Sequence, residues 1–228
     1  MIDFQAGYTM LVDKPYEWTS FDAVNKLRWN IKQKLGVKKI KVGHAGTLDP
    51  LATGLLVICT GKNTKLIEGF TGDEKSYTGT FLIGKTTPSY DLETAFDATF
   101  PTEHITAELL EKVSHGFVGV QAQVPPLFSA KQVDGQRAYD IARAGKTIEL
   151  KPNQVEIIEF QITQNRFPEI DFFIKCSKGT YIRSIARDFG LALDSGATMI
   201  ALRRTASGPF KIEDAKTVEE WITYLKEN

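Results

Sequence analysis

The sequence is poor in cysteine and histidine, carries no net charge and has no long apolar run. Each shortage removes a class of protein. Its 228 residues hold two cysteines, Cys59 and Cys176, far apart in the chain. Thiols so separated make neither a disulfide framework nor a zinc ligand set, so a reducing cytoplasm is the default setting. The three histidines, His44, His104 and His115, show no paired metal spacing. The longest apolar run, Leu55-Leu56-Val57-Ile58-Cys59, is far short of the ~20 residues that a membrane-crossing helix needs. The N-terminus lacks the basic-then-apolar pattern of a secretory signal. No Gly-x-Ser-x-Gly elbow and no phosphate loop occurs, although Gly61-Lys62-Asn63-Thr64 resembles a fragment of one. These absences leave a carboxylate mechanism with no metal and no cofactor.

What is present is an ordinary globular chain with an uneven charge map. The composition is 42% hydrophobic and 25% charged, and a chain of this length buries about 70% of its unfolded surface. Between Asp22 and Gly43 stand Lys26, Arg28, Lys32, Lys34, Lys38, Lys39 and Lys41, with Asp22 the only acid. The stretch from Thr86 to Glu111 is the reverse, with six acids and no Lys or Arg. Cations return at Lys175, Lys178, Arg183, Arg187, Arg203, Arg204 and Lys211. Such asymmetry lets one face attract phosphates while the molecule stays neutral; a solvated helix face is the plainer reading of 26–41.

The chain alternates element types. Thr9–Val12 reads as a strand. Thr19 or Ser20 caps a helix to about Leu35 with Phe21, Val24, Leu27 and Ile31 on one face, ended by Gly36. Residues 41–54, punctuated by Gly43, Gly46, Pro50 and Gly54, read as loop. Leu55–Cys59 reads as a buried strand, 64–70 as a short helix and Tyr77–Ile83 as a strand. A helix over 106–114 and extended chain over 119–124 follow. Asp134-Gly135 signals a turn, with a helix after it to Ala144. Paired strands at 155–163 and 170–177, a helix at 181–193, a last strand at 198–204 and a helix near 218–225 complete the reading. Strands adjoin strands as well as helices, so the expected class is α+β with a mixed, mostly antiparallel sheet flanked by helices. No repeat or low-complexity linker interrupts it.

Chemistry concentrates in Gly43-His44-Ala45-Gly46-Thr47-Leu48-Asp49-Pro50-Leu51-Ala52-Thr53-Gly54. Its glycines permit close backbone approach, and Pro50 stiffens the position after Asp49. A carboxylate in so constrained a loop, next to a buried strand, is either aimed at a ligand or capping a turn.

The segment 44–54 resembles the signature of the tRNA pseudouridine synthase B family. Further stretches resemble that family in its order, over about residues 9–210. They are Asp13-Lys14-Pro15 with Thr19-Ser20, Lys75-Ser76-Tyr77, 123–131 (Gln-Val-Pro-Pro-Leu-Phe-Ser-Ala-Lys), 135–139, 176–184 (Cys-Ser-Lys-Gly-Thr-Tyr-Ile-Arg-Ser) and Leu202-Arg203-Arg204. The chain departs in two ways. Glu17 stands where the family generally has glycine, and only about twenty residues follow Gly208, too few for the further RNA-binding PUA domain of many bacterial members. The resemblance implies a pseudouridine synthase fold with the active-site cleft across the sheet, a catalytic domain over 1–210 and a short helical tail over 211–228. It implies isomerisation of uridine to pseudouridine in the T-loop of tRNA, at tRNA position 55, by a monomer needing no cofactor, metal, membrane or protein partner. The base leaves its stack to be reached. By the same resemblance Asp49 is the nucleophile, Tyr77 a stacking platform that takes a proton, and Arg183 the partner that keeps Asp49 ionised. Tyr181 and Leu202 line the pocket, and His44 sits on the RNA side. Without the resemblance, Arg183 reads as a surface residue pairing with Asp188, and Lys14 stays open between fold support and phosphate contact. An RNA-binding folding helper whose benefit does not need catalysis is the alternative function.

Overall fold

A computed structural model describes residues 2–129, 132–133, 136–137 and 150–228. In chain order the described elements begin with β1 (Thr9–Lys14), α1 (Ser20–Leu35), β2 (Val42–Ala45), β3 (Ala52–Thr60), α2 (Ile67–Gly72), β4 (Lys75–Ile83), β5 (Lys85–Thr86) and β6 (Ala98–Thr99). They continue with α3 (Ala107–Gly116), β7 (Gly119–Gln123), β8 (Gln132–Val133), β9 (Gln136–Arg137), β10 (Asn153–Arg166) and β11 (Glu169–Cys176). The last are α4 (Ile182–Ala192), β12 (Ala197–Ser207), β13 (Phe210–Lys211), β14 (Lys216–Thr217) and α5 (Val218–Glu227). The turn at Asp134-Gly135 and the helix expected after it lie outside the described residues, as do Ala130 and Lys131. None of the described helices is long and apolar enough to cross a membrane.

The chain forms two compact units, Met1–Tyr77 with Leu202–Asn228, and Thr78–Ala201. In the first, β1 runs antiparallel to β3, β14 parallel to β1, and β12 parallel to β3. Helix α1 starts where the sequence places it: Thr19 and Asp22 form a reciprocal capping box, and Gly36 closes the helix at φ 62°. Its buried face is Ser20, Ala23, Val24, Leu27 and Ile31. Phe21 is not on that face. It is 60% exposed because, one position after Ser20, it points about 100° away from the buried stripe. The core joins α1 to Phe4, Met10, Val12, Leu56 and Ile58 of the sheet side and to Trp221 and Leu225 of α5. Trp221 satisfies its buried indole by donating to Leu11 O at 2.9 Å.

The second unit is antiparallel where β7, β10 and β11 pair. Its core is aromatic. Phe81, Phe117, Phe160, Phe172 and Phe189 form a chain of ring contacts, the closest being Phe81–Phe172 at 4.2 Å between centroids. The architecture is therefore the α+β class with a mixed, mainly antiparallel sheet. Two strand assignments change. Residues 42–45 are strand rather than loop, because Val42↔Thr60 to Ala45↔Val57 pair them with β3. The strand at 197–207 is not the last, since β13 folds back on it and β14 docks beside β1.

Candidate active site

Strand β3 shapes the loop that carries Asp49. One edge of β3 pairs with β1 along Thr9↔Cys59 to Lys14↔Gly54. The other edge is divided: β2 takes residues 57–60, and β12 takes residues 52–54. Residues 46–51 leave the sheet at this division. The Leu55 carbonyl between the two pairing stretches accepts from Arg204 Nε at 2.7 Å, and Arg204 Nη2 donates to Gly46 O at 3.0 Å. Arg204 is only 1% exposed, so both bonds work in a low-dielectric setting.

The same loop is gripped twice more. The Ser20 hydroxyl accepts from Leu48 N at 2.9 Å and donates to Leu48 O at 3.2 Å. Lys14, fully buried, donates from Nζ to Pro50 O at 3.3 Å, to Pro15 O at 2.9 Å and to Trp18 O at 2.5 Å. The main chain is thus held at positions 46, 48 and 50. Leu48 turns inward at 3% exposure, while Asp49, between two held positions, is half-buried. Gly46 has φ +81°, and an added Cβ would lie 3.3 Å from Arg204 Nη1. Gly54 has φ +101°, and a Cβ there would meet Arg204 O at 2.3 Å. Both positions therefore require glycine.

The electrostatics around Asp49 are cationic. Burial pulls the Lys14 ammonium down to about 8, and the charge of Asp49 opposes that fall. His44, on β2 opposite Ile58, has its pKa lowered by burial and then by Arg204, which favours the neutral imidazole. Its Nδ1 is buried and makes no hydrogen bond among the described residues. Leu202, 9% exposed, pairs in parallel with Ala52, three residues after Asp49. Tyr77, 8% exposed on β4, is the last residue of the first unit before the chain passes to the second. His44, Asp49, Tyr77 and Leu202 therefore share one unit.

Tyr181 and Arg183 belong to the other unit. Tyr181 is the N-cap residue of α4 without a side-chain cap bond; the Gln123 side chain instead accepts from its N–H at 2.8 Å and donates to its carbonyl at 3.2 Å. Arg183, 4% exposed, has its Nε 3.6 Å from Asp91 Oδ2 and donates from Nη1 to Ser89 O at 3.4 Å. Asp188 is not its ion partner: Arg187, one residue before Asp188, takes that carboxylate at 2.7 Å. The Arg187 guanidinium also lies over the Tyr90 ring at 5.3 Å.

Asp91 is the residue that sequence reasoning missed. It is 2% exposed, and its Oδ1 accepts from Glu93 N at 3.0 Å. Thr87 and Ser89 hydroxyls both donate to its carbonyl. A carboxylate so buried beside an arginine is paired rather than solvated. The available signal was the run of six acids without a cation over 86–111, which requires that any buried member find its cation elsewhere.

Comparison with known proteins adds to this geometry. The family model described as TruB family pseudouridylate synthase (N terminal domain) matches residues 32–182, and the tRNA pseudouridylate synthase B C-terminal domain matches residues 183–227. The chain is 54% identical to the tRNA pseudouridine synthase B of Phocaeicola vulgatus over 224 residues, covering 98% of this chain and 95% of that one. It is 55% identical to that of Flavobacterium johnsoniae over 214 residues, 93% of each. Among solved structures it resembles a chain of a Cbf5-Nop10-Gar1 complex at TM-score 0.73 and 27% identity, over 97% of this chain and 55% of the other. It therefore spans about half the length of that solved chain.

Proposed function

The chain belongs to the TruB family of pseudouridylate synthases, and from that premise we propose that it isomerises one uridine of the tRNA T-loop, at tRNA position 55, with Asp49 as nucleophile. The enzyme is an isomerase acting on tRNA uridine. The reaction breaks the N1–C1′ glycosidic bond, turns the base, forms a C5–C1′ bond, removes the proton from C5 and leaves one on N1. Nothing is oxidised or hydrolysed.

The side chains suit those steps. The Asp49 carboxylate adds to C1′ of the sugar or to C6 of the base. Its loop is held by Arg204, Ser20 and Lys14, so little reorganisation accompanies attack, and preorganisation of this kind is a main source of rate. Arg183, already oriented by Asp91 and Ser89, presents a fixed guanidinium that keeps the nucleophile ionised. The Tyr77 ring stacks on the extruded base, and its hydroxyl takes the C5 proton. Leu202 and Tyr181 enclose the base, and neutral His44 faces the RNA. The cytoplasm, where unmodified tRNA is found, is the compartment of action.

The support that weighs most is Asp49 itself, a half-buried carboxylate between backbone positions fixed at 48 and 50. The test is incubation of the purified protein with unmodified tRNA and nothing else, followed by chemical mapping of pseudouridine. One new pseudouridine at T-loop position 55 is expected. None, or one only at another position, would overturn the assignment.

A further inference from the structure

Two arginines on α4, Arg183 and Arg187, stand four residues apart, so they project from one side of the helix a turn apart. Arg183 meets Asp91 and the Ser89 carbonyl. Arg187 meets the residue between those two: its guanidinium lies 5.3 Å from the centroid of the Tyr90 ring, within cation–π range. Helix α4 therefore reaches three consecutive residues, Ser89, Tyr90 and Asp91, with two guanidinium groups.

Tyr90 is the strained member of the three. Its φ is 63°, in the left-handed region that a tyrosine occupies only where its surroundings hold it. Two holds act on Tyr90 from outside its turn. Met199 N donates to Tyr90 O at 2.9 Å, and Arg187 covers the ring. Other bonds are internal to the turn: Tyr90 N donates to Thr87 O, the Thr87 and Ser89 hydroxyls donate to Asp91 O, and the Ser89 hydroxyl bonds that of Thr94. Internal bonds shape the turn but do not place it against α4. That placement decides where the Asp91 carboxylate comes to rest, and with it the Arg183 guanidinium.

Arg187 is suited to the task because it is itself fixed. Its Nε and Nη2 donate to the Asp188 carboxylate at 2.7 and 3.0 Å, a two-point fork. Nη2 also donates to Val124 O at 3.3 Å, the carbonyl that accepts from Ser184 Oγ at 2.8 Å. A planar guanidinium gripped along its edge leaves its face for an aromatic ring. The Arg187 side chain is 21% exposed, so the ring contact is sheltered from water.

We propose that Arg187 and Tyr90 are positioning residues: the stacked pair holds the 89–91 turn against α4, so that Asp91 orients Arg183 for the reaction. This rests on the reading that Arg183 keeps Asp49 ionised. It adds no group to the reacting centre.

The test compares wild type with Arg187→Met, Tyr90→Asn and the double variant, and with the conservative Arg187→Lys and Tyr90→Phe. Asparagine tolerates the left-handed backbone, so Tyr90→Asn removes the ring without adding strain. Single-turnover rates on unmodified tRNA are measured across RNA concentration and pH. Nitrogen-15 NMR of the Arg183 Nε–H, read as exchange with water, reports how firmly that side chain is held without any turnover. Arg187→Met and Tyr90→Asn should each lower the saturated rate by about 10- to 100-fold, while the RNA concentration for half-maximal rate stays as in the wild type. Their activity profiles should move to higher pH, because Asp49 loses part of the cation that favours its ionised form. Arg183 Nε–H exchange should quicken in both. The double variant should be no slower than the slower single, since both remove one contact, and Arg187→Lys and Tyr90→Phe should recover most of the rate. Normal rates and pH profiles in both single variants would overturn the proposal. So would additive losses in the double variant, or lost rate with an unchanged pH profile. A wild type that forms no pseudouridine would overturn the assigned reaction instead. The Arg183 exchange then decides the pair by itself: quickened in both singles, it keeps them as the support of Arg183, and unchanged, it overturns them.

Discussion

Two buried arginines, one in each unit, are used in opposite ways. Arg204 points its donors at main-chain carbonyls, Leu55 O and Gly46 O, at the place where the edge of β3 changes partner. Arg183 faces a carboxylate, Asp91, and the Ser89 carbonyl. The first replaces missing sheet hydrogen bonds and shapes a loop. The second is a fixed charge with an acidic counterpart. Lys14 sides with Arg204: it is fully buried and its ammonium is shared among three carbonyls. Arg204 and Lys14 hold the main chain of the Asp49 loop, whereas Arg183 is paired with a buried carboxylate, and it is Arg183 that the proposed mechanism uses.

Short of removing the nucleophile itself, the largest change is expected at Tyr77, where the proposed mechanism gives the ring and its hydroxyl separate roles. Tyr77→Phe should keep RNA binding, because the ring remains to stack, and should lose about 10² to 10⁴ in rate with the proton acceptor. Single-turnover rates and binding measured on the same preparation check it, and full activity would remove the proton role.

Next is the contrast between the two arginines. Arg204→Met leaves two buried carbonyls without their charged donor and should cost roughly 2–4 kcal/mol of folding stability, read from denaturant unfolding. Arg183→Met combined with Asp91→Asn removes both members of a pair. It should cost less stability than Arg204→Met, since deleting both partners avoids a stranded charge. That double variant should nonetheless lose activity at neutral pH, with its residual activity profile moved to higher pH, because Asp49 loses the cation that favours its ionised form. A stable Arg204→Met, or a normal pH profile in the double variant, would erase the distinction.

The smallest effect is expected at Glu17. This residue sits at φ 65°, a left-handed conformation that costs a side-chain-bearing residue about 1–2 kcal/mol. The turn survives the change from the family's glycine by absorbing that strain. Glu17→Gly should raise stability by about 0.5–1 kcal/mol, part of the relief being offset by the greater freedom of glycine in the unfolded chain. Differential unfolding of the two proteins measures it.

What the sequence could show followed how local the signal was. Helix α1 was readable from Thr19, Asp22 and Gly36, because a capping box and a left-handed stop act within four residues. The paired strands β10 and β11 were readable from alternation. Strand β2 was hidden, since Gly43 and Gly46 read as loop punctuation and its pairing partner lies at residues 57–60. Phe21 was misplaced because an apolar residue near a helix start fits an i, i+3 pattern whether or not the stripe passes through it. At the site, the constrained Asp49 loop was visible in its glycines and Pro50. The clamps were not: Arg204, Ser20 and Lys14 reach the loop through contacts that depend on strand order, and Asp91 meets Arg183 across more than ninety residues of chain.

The central claim is that Asp49, held by its gripped loop, is the nucleophile. Asp49→Asn keeps the shape and removes the charge, so the measurement is its single-turnover rate on unmodified tRNA beside its tRNA dissociation constant. Turnover should vanish while affinity stays within about tenfold, ~1.4 kcal/mol, of the wild type. Isomerisation at more than a trace of the wild-type rate would contradict the account.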